Sequence, residues 1–373
     1  MFDPIKASKE IKDSYIDYIT TTFDMADTDY EREFRKELQT DGTVASGPFL
    51  DIGGSYETGH TLRELIQAQK ASVLFESLEP VAEKERELKL DRPLYQHQEA
   101  AMLKAGKGEN LVVTTGTGSG KTESFLLPII DHLLREQEAG TLSAGVRAII
   151  IYPMNALAND QMKRMRALFK NYPQICYGVY NGNTEHTQSK ALAEYHRTYH
   201  DEAGEPIDPA PNEIISREIM QEKPPHILIT NYSMLEYMML RPKDDAVFSG
   251  AKLKFIVLDE AHIYKGATGM ETSLLMRRLR ARISEPDSVQ YILTSATLGG
   301  PDADGDILSF AEKLCGVAFQ RSGIIRSTEK RPAMEDFLDF APALFEELQR
   351  SPDISSVLAR YHADFAPGGS EGE

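Results

Sequence analysis

Residues 110–134, NLVVTTGTGSGKTESFLLPIIDHLL, decide the fold class of this 373-residue chain. They begin as a short β-rich apolar run and end with apolar residues at helical spacing, with glycines at 116, 118 and 120 between. A glycine-rich turn that opens a helix presents several backbone N–H groups to one anion, and the helix dipole adds to the attraction. Glycine also lets the backbone pass close to phosphate oxygens. The pattern points to ATP, cradled by Thr115, Gly116, Thr117, Gly118, Ser119, Gly120, Lys121 and Thr122. Lys121 would reach the β- and γ-phosphates, and the Thr122 hydroxyl would ligate Mg²⁺. Thr115 stands where the usual G-x-x-x-x-G-K-S/T pattern has its first glycine.

Runs of the same kind follow at 147–153 (RAIIIYP), 226–232 (HILITNY), 254–260 (KFIVLDE) and 290–296 (QYILTSA). Each leads through small or polar residues into a helical stretch. This alternation predicts an α/β fold, a mostly parallel sheet with helices on both faces. Ligands on such sheets gather at the carboxyl ends of the strands. KFIVLDEAH puts Asp259 and Glu260 at one of those ends. Phosphoryl transfer to water needs a carboxylate near Mg²⁺ and a base that orients the water. Asp259 suits the metal role and Glu260 the base. His262 could link the nucleotide site to the next motif through a hydrogen bond.

Composition bounds the rest. Hydrophobic residues at 41% and charged residues at 27% suit a globular protein. The balance of 41 basic against 58 acidic residues argues against a general nucleic-acid coat, which needs clustered cations. A motor that grips one strand through a few amides and arginines stays compatible with it. No apolar run approaches the roughly 18 residues of a membrane span. The first residues, MFDPIKASKEIKDSY, carry no signal-peptide core. Cys176 and Cys315 lack CxxC partners, which argues against a zinc or iron–sulfur site within this chain, and a cytoplasmic location is expected.

Three regions are expected: a helical accessory region over 1–90, the ATP-binding lobe over 91–300 and a helical tail over 301–373, ending in a disordered APGGSEGE. Within the lobe, about 186–225 is polar, rich in Pro and acid, and reads as a surface insertion.

The order TGTGSGKT, YPMNALANDQ, TNYSML, DEAH, SAT resembles the first RecA-like lobe of superfamily 2 DEAD/DEAH-box helicases. More narrowly, LYQHQEAA, TNYSMLEYMMLRP and DEAHIYKGATGMETSLLMRRL resemble large bacterial helicases of DNA repair and phage defence that carry a DUF1998 region. The resemblance spans about residues 5–300. It implies that Gln98, 23 positions before Lys121, reads adenine with its amide and that Tyr95 stacks on the base. It implies that Asn155, Gln161, Thr230 and Asn231 grip a nucleic-acid backbone, with the YNGNT turn (180–184) as a further contact. Ser295 and Thr297 would couple hydrolysis to strand movement through hydrogen bonds toward the DEAH loop. By their chemistry alone, these Asn and Thr residues are equally ordinary loop caps. The arginines of MRRLRARI (276–283) could meet phosphates or form a solvated helix face.

A motor of this family needs a second RecA-like lobe, which supplies arginines to the transition state. No second series of strands and no matching arginine run follows SAT. The expected function is an ATP-dependent helicase or translocase lobe, completed by a second lobe in a missing segment or another chain. The resemblance favours DNA over RNA, with other repair or defence subunits as partners and no membrane. The alternatives are a double-strand translocase that does not unwind and a non-catalytic binding module. The intact Lys121, Thr122, Asp259 and Glu260 speak against the module.

Overall fold

The structure, a computed structural model, describes residues 4–23, 27–40, 42–45, 56–78, 88–116, 118–201, 204–299 and 301–330. The chain forms two compact units, Met1–Ser55 and Tyr56–Glu373.

The smaller unit holds α1 (Pro4–Thr22) and α2 (Thr28–Gln39). Asp27 caps α2, its carboxylate accepting from the N–H groups of Asp29 (2.9 Å) and Tyr30 (3.3 Å). Arg35 of α2 pairs with Asp17 of α1.

The larger unit opens with β1 (Thr58–Thr61), α3 (Leu62–Gln67), β2 (Pro93–Tyr95), α4 (Gln96–Ala105), β3 (Leu111–Thr114) and α5 (Lys121–Glu138). It continues with β4 (Ala148–Ile151), α6 (Asn155–Phe169), β5 (Tyr177–Tyr180), α7 (Gln188–Thr198), β6 (Glu213–Ile214) and α8 (Arg217–Glu222). After these come β7 (Ile227–Thr230), α9 (Tyr232–Leu240), α10 (Asp245–Phe248), β8 (Phe255–Leu258) and α11 (Gly266–Arg282). It ends with β9 (Gln290–Ser295), α12 (Asp304–Cys315) and β10 (Ile324–Arg326).

Eight strands form one parallel sheet in the order β10-β3-β9-β8-β4-β7-β5-β6. The five runs expected as strands became β3, β4, β7, β8 and β9, each buried along its whole length. Residue alternation sends the side chains into two cores. Leu111, Val113, Ile150, Ile229 and Val257 pack toward Phe125, Ile129, Leu133, Met165 and Phe169 of α5 and α6. Val112, Ile149, Leu228, Ile256 and Leu293 pack toward Met238, Leu275, Leu279, Ile307 and Leu314 of α9, α11 and α12. With a helical layer on each face, only the strand ends are left to build a site.

The structure corrects three expectations. The region over 1–90 is not purely helical, because β1 pairs antiparallel with β2. That pairing draws Tyr56 onward into the larger unit, so the units part well before residue 90. TGHT lacks the apolar alternation that marks a strand, and its partner alone decides it. Second, the polar stretch 186–225 holds α7 and α8 and also contributes β6 to the sheet edge beside β5. Gly178 allows that approach: a Cβ there would lie 2.6 Å from the Ile214 carbonyl oxygen. Third, the chain after 301 returns to the sheet, where β10 pairs parallel with β3. Three residues are too few for a period to be read. The helical stretch expected beyond 330, with its disordered end, lies outside the described residues.

Below the sheet, Arg147 stands among His132, His226 and Glu136. His226 is fixed as a neutral tautomer: Nδ1 accepts the Cys176 N–H (2.9 Å) and Nε2 donates to the Ser143 carbonyl (3.2 Å). Burial, then the Arg147 charge, pushes its pKa from 6.5 down to about 4. Burial, Lys254 and Arg147 do the same to His132, also to about 4. The unfolded chain takes up protons at both imidazoles once the pH falls below 6.5, and the folded chain resists until about 4. Stability is therefore kept above that window and lost within it, by about 1.4 kcal/mol per histidine per pH unit. Urea midpoints measured from pH 7.5 to 4.5 should fall as the pH drops; a flat profile would reject the assignment.

Candidate active site

The sheet order sets β3, β9 and β8 side by side, so the loops after them meet at one edge. The phosphate-type loop runs from Thr115 to Gly120 and opens α5. Gly118 (φ 76°) and Gly120 (φ 72°) are left-handed, a conformation that favours glycine. A Cβ on Gly120 would also lie 2.4 Å from Gln98 Nε2. Thr115 has its own use at the position that usually holds glycine. Its hydroxyl oxygen accepts from Ser119 Oγ (2.7 Å) across the loop, and its N–H donates to the Ser295 carbonyl (3.1 Å). Thr117 lies outside the described residues.

Gln98 is buried against this loop, Nε2 donating to the Gly120 carbonyl (3.0 Å) and Oε1 accepting the Tyr95 N–H (2.9 Å). One amide proton and one lone pair are left for a base. The Tyr95 ring is stacked on His97, with centroids 5.6 Å apart, so one of its faces is already covered. Sequence reasoning passed over two neighbours. His97, buried within LYQHQEAA, meets the Ser119 carbonyl at 2.9 Å through Nε2. A carbonyl only accepts, so Nε2 carries the proton, and burial, which lowers the His97 pKa, keeps the ring neutral. Tyr56 packs edge-on against both rings, and its hydroxyl would be 2.9 Å from a Cβ on Gly116. Nothing around Tyr56 in the sequence announces this, since the contact depends on β1.

At the end of β8, the Asp259 carboxylate accepts from the Thr294 hydroxyl, and its N–H donates to the Ile151 carbonyl (3.1 Å). Burial raises the Asp259 pKa, with Thr294 opposing and Glu260 adding to the rise. Glu260 is left-handed (φ 49°, ψ 48°), a strained backbone for a residue with a side chain. That turn brings its carboxylate to Lys121, whose Nζ donates to Oε1 at 3.1 Å. The other oxygen is 3.2 Å from His262 Nδ1, which also lies 3.1 Å from Ser295 Oγ. Ser295 Oγ in turn accepts the Thr297 N–H (3.1 Å). Lys121, Glu260, His262 and Ser295 thus form one polar chain across the three loops. Thr297 joins it through its main chain, not through its hydroxyl.

The residues fit Mg²⁺. A buried carboxylate whose pKa is raised gains from a nearby cation. Asp259 and the Thr122 hydroxyl flank the loop that would carry phosphates. Among the described residues no group of three or more His, Cys, Asp or Glu is placed to hold a metal ion by itself. The protein would accordingly supply few ligands and the phosphates the others, the usual habit of Mg²⁺.

The expected strand contacts divide. Asn231 caps α9, with Oδ1 accepting the Met234 N–H (2.7 Å), while Nδ2 donates to Asn155 Oδ1 (2.8 Å). The two loops are joined, and both residues stay partly exposed. Thr230 is buried, and its hydroxyl donates to the Tyr180 carbonyl (2.7 Å) because the pleat turns it inward. Gln161 is half-buried, and its amide oxygen is shielded without a hydrogen-bond partner. Asn181 and Thr184 of YNGNT bond within their own turn. The arginine run is engaged by the lobe: Arg277 with Ser273, Arg278 with Glu236, Arg280 with Asp287 and Arg282 with Asp245.

A family model of the DEAD/DEAH box helicase matches residues 95–203 and 204–304. The chain belongs to the DEAD/DEAH box helicase family. The Druantia protein DruE of Escherichia coli (strain UMEA 4076-1) is 33% identical over 87% of this chain and 22% of its own length. Among solved structures, the DEAD-box helicase Mss116 bound to ssRNA and UDP-BeF matches with a TM-score of 0.53 and 17% identity, over 83% of this chain and 55% of that one. The DUF1998 helicase MrfA bound to DNA matches with a TM-score of 0.49 and 23% identity, over 73% of this chain and 31% of that one. The fold is that of a RecA-like lobe. The chain spans about a fifth of the length of the curated relatives it matches. No described helix is long and apolar enough to cross a membrane.

Proposed function

We propose that this chain is the ATP-binding lobe of a DNA helicase or translocase, hydrolysing ATP with Mg²⁺ when a second RecA-like lobe completes the cleft. One observation carries the reading: the polar chain Lys121–Glu260–His262–Ser295 joins the phosphate-type loop, the DEAH loop and the SAT loop. An entering triphosphate would draw Lys121 from Glu260 to its own oxygens. Glu260, released, can orient water and take its proton. The loss of Lys121 would reach Ser295 through His262, whose one Nδ1 proton cannot fully serve both neighbours. Ser295 ends β9, and its carbonyl holds the Thr115 N–H, so the signal also returns to the loop.

The preference for DNA rests on the resemblance to DUF1998 helicases, and so does a setting in repair or phage defence. On the strand side, the joined Asn155–Asn231 pair is the best-supported contact. ATP hydrolysis, measured with and without single-stranded DNA, tests the reading. Activity is expected only with both DNA and a second lobe, and Lys121→Ala should lower it at least 100-fold, the scale set by transition-state charge stabilisation. Brisk turnover by the isolated chain would reject the need for a second lobe. Turnover unaffected by Lys121→Ala would reject the site.

A further inference from the structure

We propose that the ion pair between Glu123 and Arg164 positions the phosphate cradle, holding a carboxylate away from incoming phosphates and tying the cradle to the strand-side helix α6. The inference rests on the ATP-binding reading above. Glu123 is the acidic residue in the first turn of α5, two positions after Lys121. The electropositive start of a helix attracts anions, so a carboxylate there competes with phosphate for the same field and repels it. Glu123 Oε2 lies 3.1 Å from where a Cβ on Gly120 would stand, against the left-handed residue of the loop, and it is buried without a hydrogen-bond partner. The other oxygen meets a guanidinium nitrogen of Arg164. The side chains are only 22% (Arg164) and 29% (Glu123) exposed, so water screens the pair less than it would on an open surface.

Arg164 comes from α6, and this placement gives the pair a purpose. The helix begins at Asn155, which is bonded to Asn231 at the head of α9. A strand gripped by that pair would fix α6, hold Arg164 on Glu123 and keep the cradle open to ATP. When α6 moves, the carboxylate is released toward the cradle and nucleotide affinity falls. Such coupling is reciprocal, so bound nucleotide would favour strand binding by the same factor.

The test is titration of the full chain with a fluorescent ATP analogue and Mg²⁺, with and without an oligo-dT strand. Arg164→Ala is expected to weaken nucleotide binding by about tenfold, within the usual range of such couplings. Glu123→Gln should bind at least as tightly as the parent. The double variant Glu123→Gln/Arg164→Ala should recover nearly the parent affinity, because no carboxylate remains to be held. It should also lose the effect of oligo-dT on nucleotide affinity. A purely structural pair would give the opposite result, a double variant no better than Arg164→Ala, and that would overturn the proposal. Unchanged binding in Arg164→Ala, with Lys121→Ala abolishing it, would reject the pair alone. Unchanged binding in Lys121→Ala would reject the nucleotide site itself.

Discussion

Glu260→Gln is expected to lower ATP hydrolysis by the completed motor about 10²–10⁴-fold, the usual contribution of a general base, while nucleotide binding holds or tightens. The two effects have separate causes. A glutamine amide can hold a water but cannot take its proton. In the lobe, however, Glu260 also occupies Lys121, with Nζ 3.1 Å from Oε1 and the side chains only 12% (Lys121) and 27% (Glu260) exposed. Removing that carboxylate leaves the ammonium ready for phosphate, so the usual exchange of partners no longer opposes binding. Gln keeps the length of the side chain, so the left-handed backbone at 260 need not change. Single-turnover hydrolysis together with equilibrium titration of a fluorescent ATP analogue separates rate from affinity. A parallel loss of both would show that Glu260 shapes the loop and does not act on water.

The motif residues that lie together in the structure share one property: each belongs to a contiguous string at the end of a buried parallel strand. In such a sheet neighbouring carboxyl ends must converge, so TGTGSGKT, DEAH and SAT could be brought together before any coordinates. What escaped depends on contacts between distant segments. Tyr56 reaches the site because β1 pairs with β2, and TGHT carries no pattern that foretells it. Arg164 lies past the motif that named its helix, and only packing sets it on Glu123. Thr230 has its hydroxyl engaged inside the lobe for a simpler reason. It closes a strand whose four residues are all buried, and the pleat gave its hydroxyl to Tyr180. β6 and β10 are two and three residues long, and sheet edges that short are decided by their neighbours.

Glu136→Ala is expected to destabilise the larger unit by about 3–5 kcal/mol, the cost of leaving a buried charge without its partner. Arg147 is the charged first residue of the apolar run RAIII, and it is 0% exposed. Its guanidinium donates to Glu136 (3.0 Å), the Gly145 carbonyl (2.7 Å) and Ser143 Oγ (3.1 Å). Two neutral partners cannot balance a desolvated cation, so the carboxylate decides whether the site is tolerable. The double variant Glu136→Gln/Arg147→Met should recover most of the loss, since replacing both charges removes the penalty along with the attraction. Urea unfolding of the single and double variants gives both numbers. A single-variant cost under about 1 kcal/mol, the level of an exposed pair, would mean that water reaches Arg147. The same double variant links this pair to acid stability. Burial, and after it the Arg147 charge, holds His226 down at about 4, so without that charge this imidazole rises toward its ordinary value. The loss of stability between pH 6.5 and 4 should then become shallower, whereas a profile as steep as the parent's would mean that Arg147 adds little to the effect of burial on His226.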